Sequence, residues 1–145
     1  MKRAIRLILL VGTMLGAAAS MVDAREAVLH YEPAVEVLTG VVKFERHYGP
    51  PNFGETPQTD SVLTVPVLVL DTPVTVEGSA NPSHLDTTTY PHVTRIQLVF
   101  TRPGLEVATL NGRRISVSGT LFEKIVGGQY TDVLMMVQNV GAPAR

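Results

Sequence analysis

The chain has 145 residues, 12 of them basic and 13 acidic, a formal net charge of −1 and no cysteine. That charge balance excludes a protein drawn to nucleic acid by counterion release, and the lack of cysteine excludes disulfide staples. With 45% hydrophobic residues, a chain of this length buries enough apolar surface to stand on its core alone.

The first stretch, "MKRAIRLILLVGTMLGAAASMVDA", places Lys2, Arg3 and Arg6 before an apolar run and ends in small residues. This order predicts a secretory signal peptide over residues 1–24 with cleavage after Ala24. The apolar part, roughly Ile5 to Ala19, is short of the ~20 residues that a spanning helix needs. Residues 25–145 are then a single domain with a net charge of about −3, placed in the periplasm or outside the cell. Just past the cleavage point, "DAREAVLHYE" is expected to form at most a turn or two of helix.

Five strand-like runs follow. In "AVEVLTGVVKFER", residues 34–46, Leu38, Val42 and Phe44 share a face with Gly40, while Thr39, Lys43 and Glu45 take the other. A mid-strand glycine such as Gly40 marks a sharp bend or the close approach of another backbone. "SVLTVPVLVLDTPVTVEG" is apolar on both faces from Val65 to Leu70, and its Pro66 and Pro73 require edges or bulges. "VTRIQLVFT" alternates Ile96, Leu98 and Phe100 with Arg95, Gln97 and Val99. "PGLEVATLNG" has room for one helical turn before Asn111-Gly112. In "RRISVSGTLFEKI", Ile115, Val117 and Leu121 oppose Ser116, Ser118 and Thr120, with Gly119 again in mid-strand. A tight hairpin at Gly127-Gly128 leads into "TDVLMMVQNV".

Five strands, internal glycines and a short element between the third and fourth strands predict an all-β fold, a small OB-like barrel. A β-sandwich is the alternative, although it ordinarily uses about seven strands.

Two long connections carry the candidate surfaces. The first is "RHYGPPNFGETPQTD", residues 46–60. Pro50 and Pro51 fix φ and favour polyproline II, while Asn52 and Asp60 are turn formers. The segment is therefore read as long but stiff, and as one rim of an OB-like binding face. Tyr48 is expected to be exposed and Phe53 to fold down as a lid. Arg46, Arg95 and Arg114 would supply hydrogen-bond donors, forming one patch if their strands are neighbours. The second connection, "EGSANPSHLDTTTYPHVTR" (residues 77–95), is polar and read as a partner contact or a mobile segment.

The stretches "FERHYGPPNFGETPQTDSVLTVPVLVLDTPVTV" and "LNGRRISVSGTLFEKIVGGQYTDVLMMV", with "IQLVF" between them, give the chain a resemblance to domain-of-unknown-function family 4431. The resemblance implies a small exported bacterial protein and no assigned activity. The family's hairpin after "GTLF" is often rich in histidine, whereas "VGGQYTD" has none, so no metal site carries over.

Residue chemistry points the same way. His30, His47, His84 and His92 match no zinc spacing. Ser116 and Ser118 lie on a strand without a nucleophile elbow. Ser83, His84 and Asp86 are sequence neighbours in a polar loop, an arrangement from which triads are rarely built. The expectation is an exported binding module with no cofactor, no metal and no catalytic residues. Its binding residues would be Arg46, Tyr48, Pro50, Pro51, Asn52, Phe53, Arg95 and Arg114, and its partner another cell-envelope protein met in an inhibitor or immunity-type role. Binding of a small envelope ligand such as a glycan fragment is the alternative, and a hydrolase comes third.

Overall fold

The computed structural model of the protein describes residues 25–101 and 107–142. The leader expected over residues 1–24 lies outside the described residues. The elements in chain order are β1 (Ala27–His30), β2 (Val35–Tyr48), β3 (Val62–Glu77), β4 (Tyr90–Phe100), a 3-10 turn (Val107–Leu110), β5 (Arg114–Glu123) and β6 (Val133–Gly141). Among the described residues no helix is long and apolar enough to cross a membrane.

Strand β2 runs antiparallel to both β3 and β5, β3 antiparallel to β4, β4 parallel to β6, and β6 antiparallel to β5. The circuit β2–β3–β4–β6–β5–β2 closes a five-stranded barrel, to which β1 is added outside the ring. This is the OB-like arrangement, with the 3-10 turn between the third and fourth barrel strands. One closed sheet, not two packed sheets, excludes the sandwich alternative.

Closure requires β2 to serve two partners. It pairs with β5 over Val35–Val41 and with β3 over Gly40–Tyr48. The exchange falls at Gly40, where a Cβ would stand 2.2 Å from the carbonyl oxygen of Val69. At Gly119 a Cβ would stand 2.1 Å from the carbonyl oxygen of Met136. Both glycines are therefore points of backbone approach, and any side chain there would push two strands apart.

The expected helical turn after residue 24 is instead β1. Once β2 has left for β5, the end of β3 has an open edge, and β1 fills it with a parallel pairing from Ala27–Val74 to His30–Glu77. Ladder hydrogen bonds to a waiting edge, together with burial of Leu29 in the core, outweigh a helix too short to hold itself. Of the two strand prolines, Pro73 falls in the register shift between Val69 and Val74. Pro66 pairs with Phe44 and lies one residue outside the β3–β4 ladder, which begins at Val67. Both are placed where a missing N–H costs least.

The barrel interior takes the inward half of each alternation: Val42, Leu68, Ile96, Leu121 and Met135 are fully buried. Each such side chain contributes about 1.5–3 kcal/mol by leaving water. The connection between β5 and β6 is longer than the expected tight hairpin, spanning residues 124–132 with its turn at Gly127-Gly128.

Candidate functional site

The first long connection proves shorter than expected, because β2 continues through Arg46, His47 and Tyr48. Residues 50–59 form successive turns rather than a polyproline II stretch. Asp60 organises them. Its Oδ1 accepts the N–H of Asn52 at 2.8 Å, and its Oδ2 accepts those of Gly54 at 2.8 Å and Thr56 at 3.3 Å. Desolvation pushes the Asp60 carboxyl up, but these three backbone donors outweigh it and hold the group below the ordinary aspartate value. The loop base is closed by Gly49 N–H on the Ser61 carbonyl (2.8 Å) and Ser61 N–H on the Pro50 carbonyl (2.9 Å). Phe53, at φ +51°, is thereby held in a left-handed turn.

The 124–132 connection faces this loop and covers the outer side of the sheet. Val65, Val67 and Leu134 are buried, yet they lie outside the main core. Val67 and Leu134 flank Gln97 in register, on the outward face of β3, β6 and β4. Gln97 is itself buried. Its amide donates to the Gly128 carbonyl at 3.1 Å, and its Oε1 accepts the Tyr130 N–H at 2.8 Å. The Gln97 N–H donates to Thr131 Oγ1 at 2.9 Å. The face that OB-like barrels usually offer to ligands is thus occupied by the protein's own hairpin.

What remains open is the rim where loop and hairpin meet. The Tyr130 hydroxyl donates to the Tyr48 carbonyl at 2.7 Å, and the Tyr130 ring stacks on His47 with centroids 4.1 Å apart. Phe53 lays its ring against Gly127. It bridges the two loops and stays 45% exposed, so it does not fold fully down as a lid; Tyr48 is exposed to the same extent. Val62, Ile125 and Val126 are also exposed. A cavity of about 280 Å³ is lined by Arg46, His47, Tyr48 and Val62. A second, of about 450 Å³, runs along Phe53 and residues 124–130.

The expected binding residues do not all gather here. Arg46, Tyr48, Pro50, Pro51, Asn52 and Phe53 belong to the rim. Arg46 shares its strand parity with Val42 and Phe44, whereas Arg95 alternates with Ile96 and Leu98 and points to the outer face, where it pairs with Glu45. Arg114 stands opposite Val41, five residues and roughly 17 Å along β2 from Arg46. Its Nη2 lies 2.6 Å from Asp71 Oδ2, and this hydrogen bond raises its pKa. Arg114 therefore stands apart from the rim, whereas Arg95 shares the Glu45 carboxylate oxygen with His47 of the rim.

The histidines are dispersed as well. His47 Nε2 is 3.1 Å from Glu45 Oε2, His30 faces Glu77, and His92 Nδ1 is 2.6 Å from Glu26 Oε1. Among the described residues no group of three or more His, Cys, Asp or Glu side chains is placed to hold a metal ion.

Sequence reasoning missed Gln97 and Tyr130. Gln97 sits at an outward strand position, where a polar residue signals solvent; only the chain's own hairpin makes it a buried anchor. The second long connection also shrinks, to residues 78–89, because β4 begins at Tyr90. It is fastened to β5: Asp86 Oδ1 accepts the Glu123 N–H at 2.7 Å, and Glu123 accepts the Tyr90 hydroxyl at 2.9 Å and the Thr88 N–H at 3.4 Å. Burial pushes the Glu123 carboxyl up, and the Thr88 and Tyr90 hydrogen bonds more than reverse this.

No curated protein and no solved structure matches the chain. A family model matches residues 95–140, a segment that does not include the distinctive "GPPNFG" loop. That segment runs through β4, β5, the hairpin and most of β6, and it matches the model described as Domain of unknown function (DUF4431), the family that the sequence resembles.

Proposed function

We propose that this protein is an exported, non-catalytic binding module that engages another protein of the cell envelope through the rim between the 49–61 loop and the 124–132 hairpin. An inhibitor or immunity-type role is the form this takes. The reading rests on one observation above others: Tyr48, at the end of β2, and Phe53, on the loop that follows it, are both exposed, and that loop's shape is fixed by its own hydrogen bonds. Exposed Val62, Ile125 and Val126 surround them, and the Arg46 and Lys124 side chains stand beside the two cavities. Aromatic side chains with arginine at the edge are the composition of interface hot spots, and a loop already ordered adds little entropy cost on binding.

The test is capture from an envelope extract with the wild-type protein and with a Tyr48→Ala/Phe53→Ala double variant. A partner retained by the first and lost by the second is the expected result. Equal retention by both overturns the reading. Binding of a small glycan fragment in the cavity beside Tyr48 is the second reading, favoured by the exposure of that side chain at the cavity it lines. It predicts a rise in melting temperature with fragment concentration, which a purely protein-binding rim would not give.

A further inference from the structure

Another groove of about 450 Å³, sharing Ile125 with the cavity along Phe53, lies between the 78–89 loop, the foot of the hairpin and the outer face of β5 and β6. Its floor is apolar, made by the outward side chains of Phe122 and Met136. Leu85, 79% exposed, and Ile125, 63% exposed, stand at its walls. Large apolar side chains held this far into water at the edge of a groove mark a contact surface.

The charged part of the lining is mainly acidic. Glu32, Asp86 and Glu123 contribute carboxylates, His84 is the single basic side chain, and no lysine or arginine lines the groove among the described residues. Glu123 is already committed to Tyr90 and Thr88. Asp86 is only 7% exposed, and its Oδ1 is taken by the Glu123 N–H. Its Oδ2 has no hydrogen-bond partner among the described residues. No buried side-chain oxygen among the described residues is without a partner, so Oδ2 keeps some exposure, and Asp86 is one of the residues lining the groove. Glu32, exposed and with no ion pair among the described residues, stands at the same opening. A mostly desolvated carboxylate oxygen beside apolar walls is costly until a cation meets it.

We propose that this groove receives an arginine side chain of a partner polypeptide. The aliphatic stem lies on Phe122 and Met136 between Leu85 and Ile125, and the guanidinium meets Asp86 Oδ2 and Glu32. Arginine fits because it couples an apolar stem to a weakly hydrated, forked cation. The inference rests on the binding-module reading for the partner being a polypeptide, but the groove's chemistry is independent of the rim aromatics.

The experiment follows the methyl resonances of Leu85, Ile125 and Met136 in the purified protein as acetyl-Ala-Arg-Ala-amide is added. The same peptide with citrulline, isosteric and uncharged, is the control. The arginine peptide is expected to shift all three methyls, with citrulline binding at least about tenfold more weakly, the equivalent of one charge-assisted hydrogen bond. Asp86→Asn keeps the Oδ1 acceptor for Glu123 and is expected to weaken the arginine peptide by a similar factor. Glu32→Gln, at an exposed position, carries the charge test should Asp86→Asn not fold. Unmoved methyls, equal binding of arginine and citrulline peptides, or wild-type affinity in these variants overturns the proposal. Tyr48→Ala, whose cavity shares no lining residue with the groove, is expected to leave the titration unchanged, so failure of the rim reading and failure of the groove are told apart.

Discussion

Loop 49–61 and loop 78–89 are of similar length, and each is organised by one aspartate, Asp60 in the first and Asp86 in the second. Among the described residues Asp60 accepts from Asn52, Gly54 and Thr56, all within its own loop. Asp86 accepts from Glu123, 37 residues away, and Glu123 in turn takes the Thr88 N–H and the Tyr90 hydroxyl. Tyr31 adds a further tie, its buried hydroxyl donating to the Thr88 carbonyl at 3.1 Å. The first loop is therefore shaped by itself and leans on the hairpin through Phe53 and Tyr130. The second also has hydrogen bonds of its own, Ser79 N–H to the Asp86 carbonyl at 2.8 Å among them, but unlike the first it is tied in addition to β5 and to Tyr31. A locally stapled loop is suited to present a fixed surface; a loop stapled across the fold is part of its stability.

The largest effect that separates them is expected from Asp86→Ala. The Glu123 N–H, at a part-buried position, loses its acceptor, and the loss is about 2–3 kcal/mol, read as a lower urea midpoint. A midpoint near wild type would mean that the second loop is as self-contained as the first. Next comes Gln97→Leu, which leaves the Tyr130 N–H and the Gly128 carbonyl without their partners. About 1–2 kcal/mol is expected, together with faster amide exchange in residues 124–132.

A smaller effect tests the long-range tie by pH. The Glu123 pKa is lowered in the folded protein, so its contribution is complete above the ordinary glutamate value and is lost as pH falls through the lowered folded value. Wild type should therefore lose stability across that acidic window more steeply than Glu123→Gln. Parallel pH profiles would show that the carboxylate is not what holds the 78–89 loop.

The sequence made the barrel readable because its alternation is strict where the strands curl. Gly40 and Gly119 interrupt the inward set of β2 and β5, and both prove to be points of backbone contact. Asp60 was readable as a turn former for the same local reason. What depended on distant segments was not readable. β1 looked like a frayed helical turn because its partner edge exists only after β2 has crossed to β5. Gln97 looked solvent-facing because nothing in its own strand announces the hairpin that buries it. Arg114 stands apart from Arg46 on the same ground: its carboxylate partner, Asp71, lies on another strand and holds it there, while Arg95 meets Glu45 beside His47. Of the rim, the sequence showed the 49–61 side and not its counterpart, Tyr130.

The smallest expected effect is also the sharpest test of the contrast. Asp60→Ala removes three acceptor contacts, but all three donors lie in one loop at the surface, and no barrel ladder passes through them. The unfolding midpoint should hardly move, while amide exchange quickens at Asn52, Gly54 and Thr56 and spreads no further than Gly49–Ser61. The two effects are separable because a bond between near neighbours shapes only the segment it closes, whereas the Asp86–Glu123 contact couples a loop to a barrel strand. If the rim aromatics act through a preformed loop, partner capture should also weaken in Asp60→Ala although Tyr48 and Phe53 are intact. A global loss of stability would instead make the first loop a structural clasp like the second, and the division between a presented surface and a sealed end would disappear.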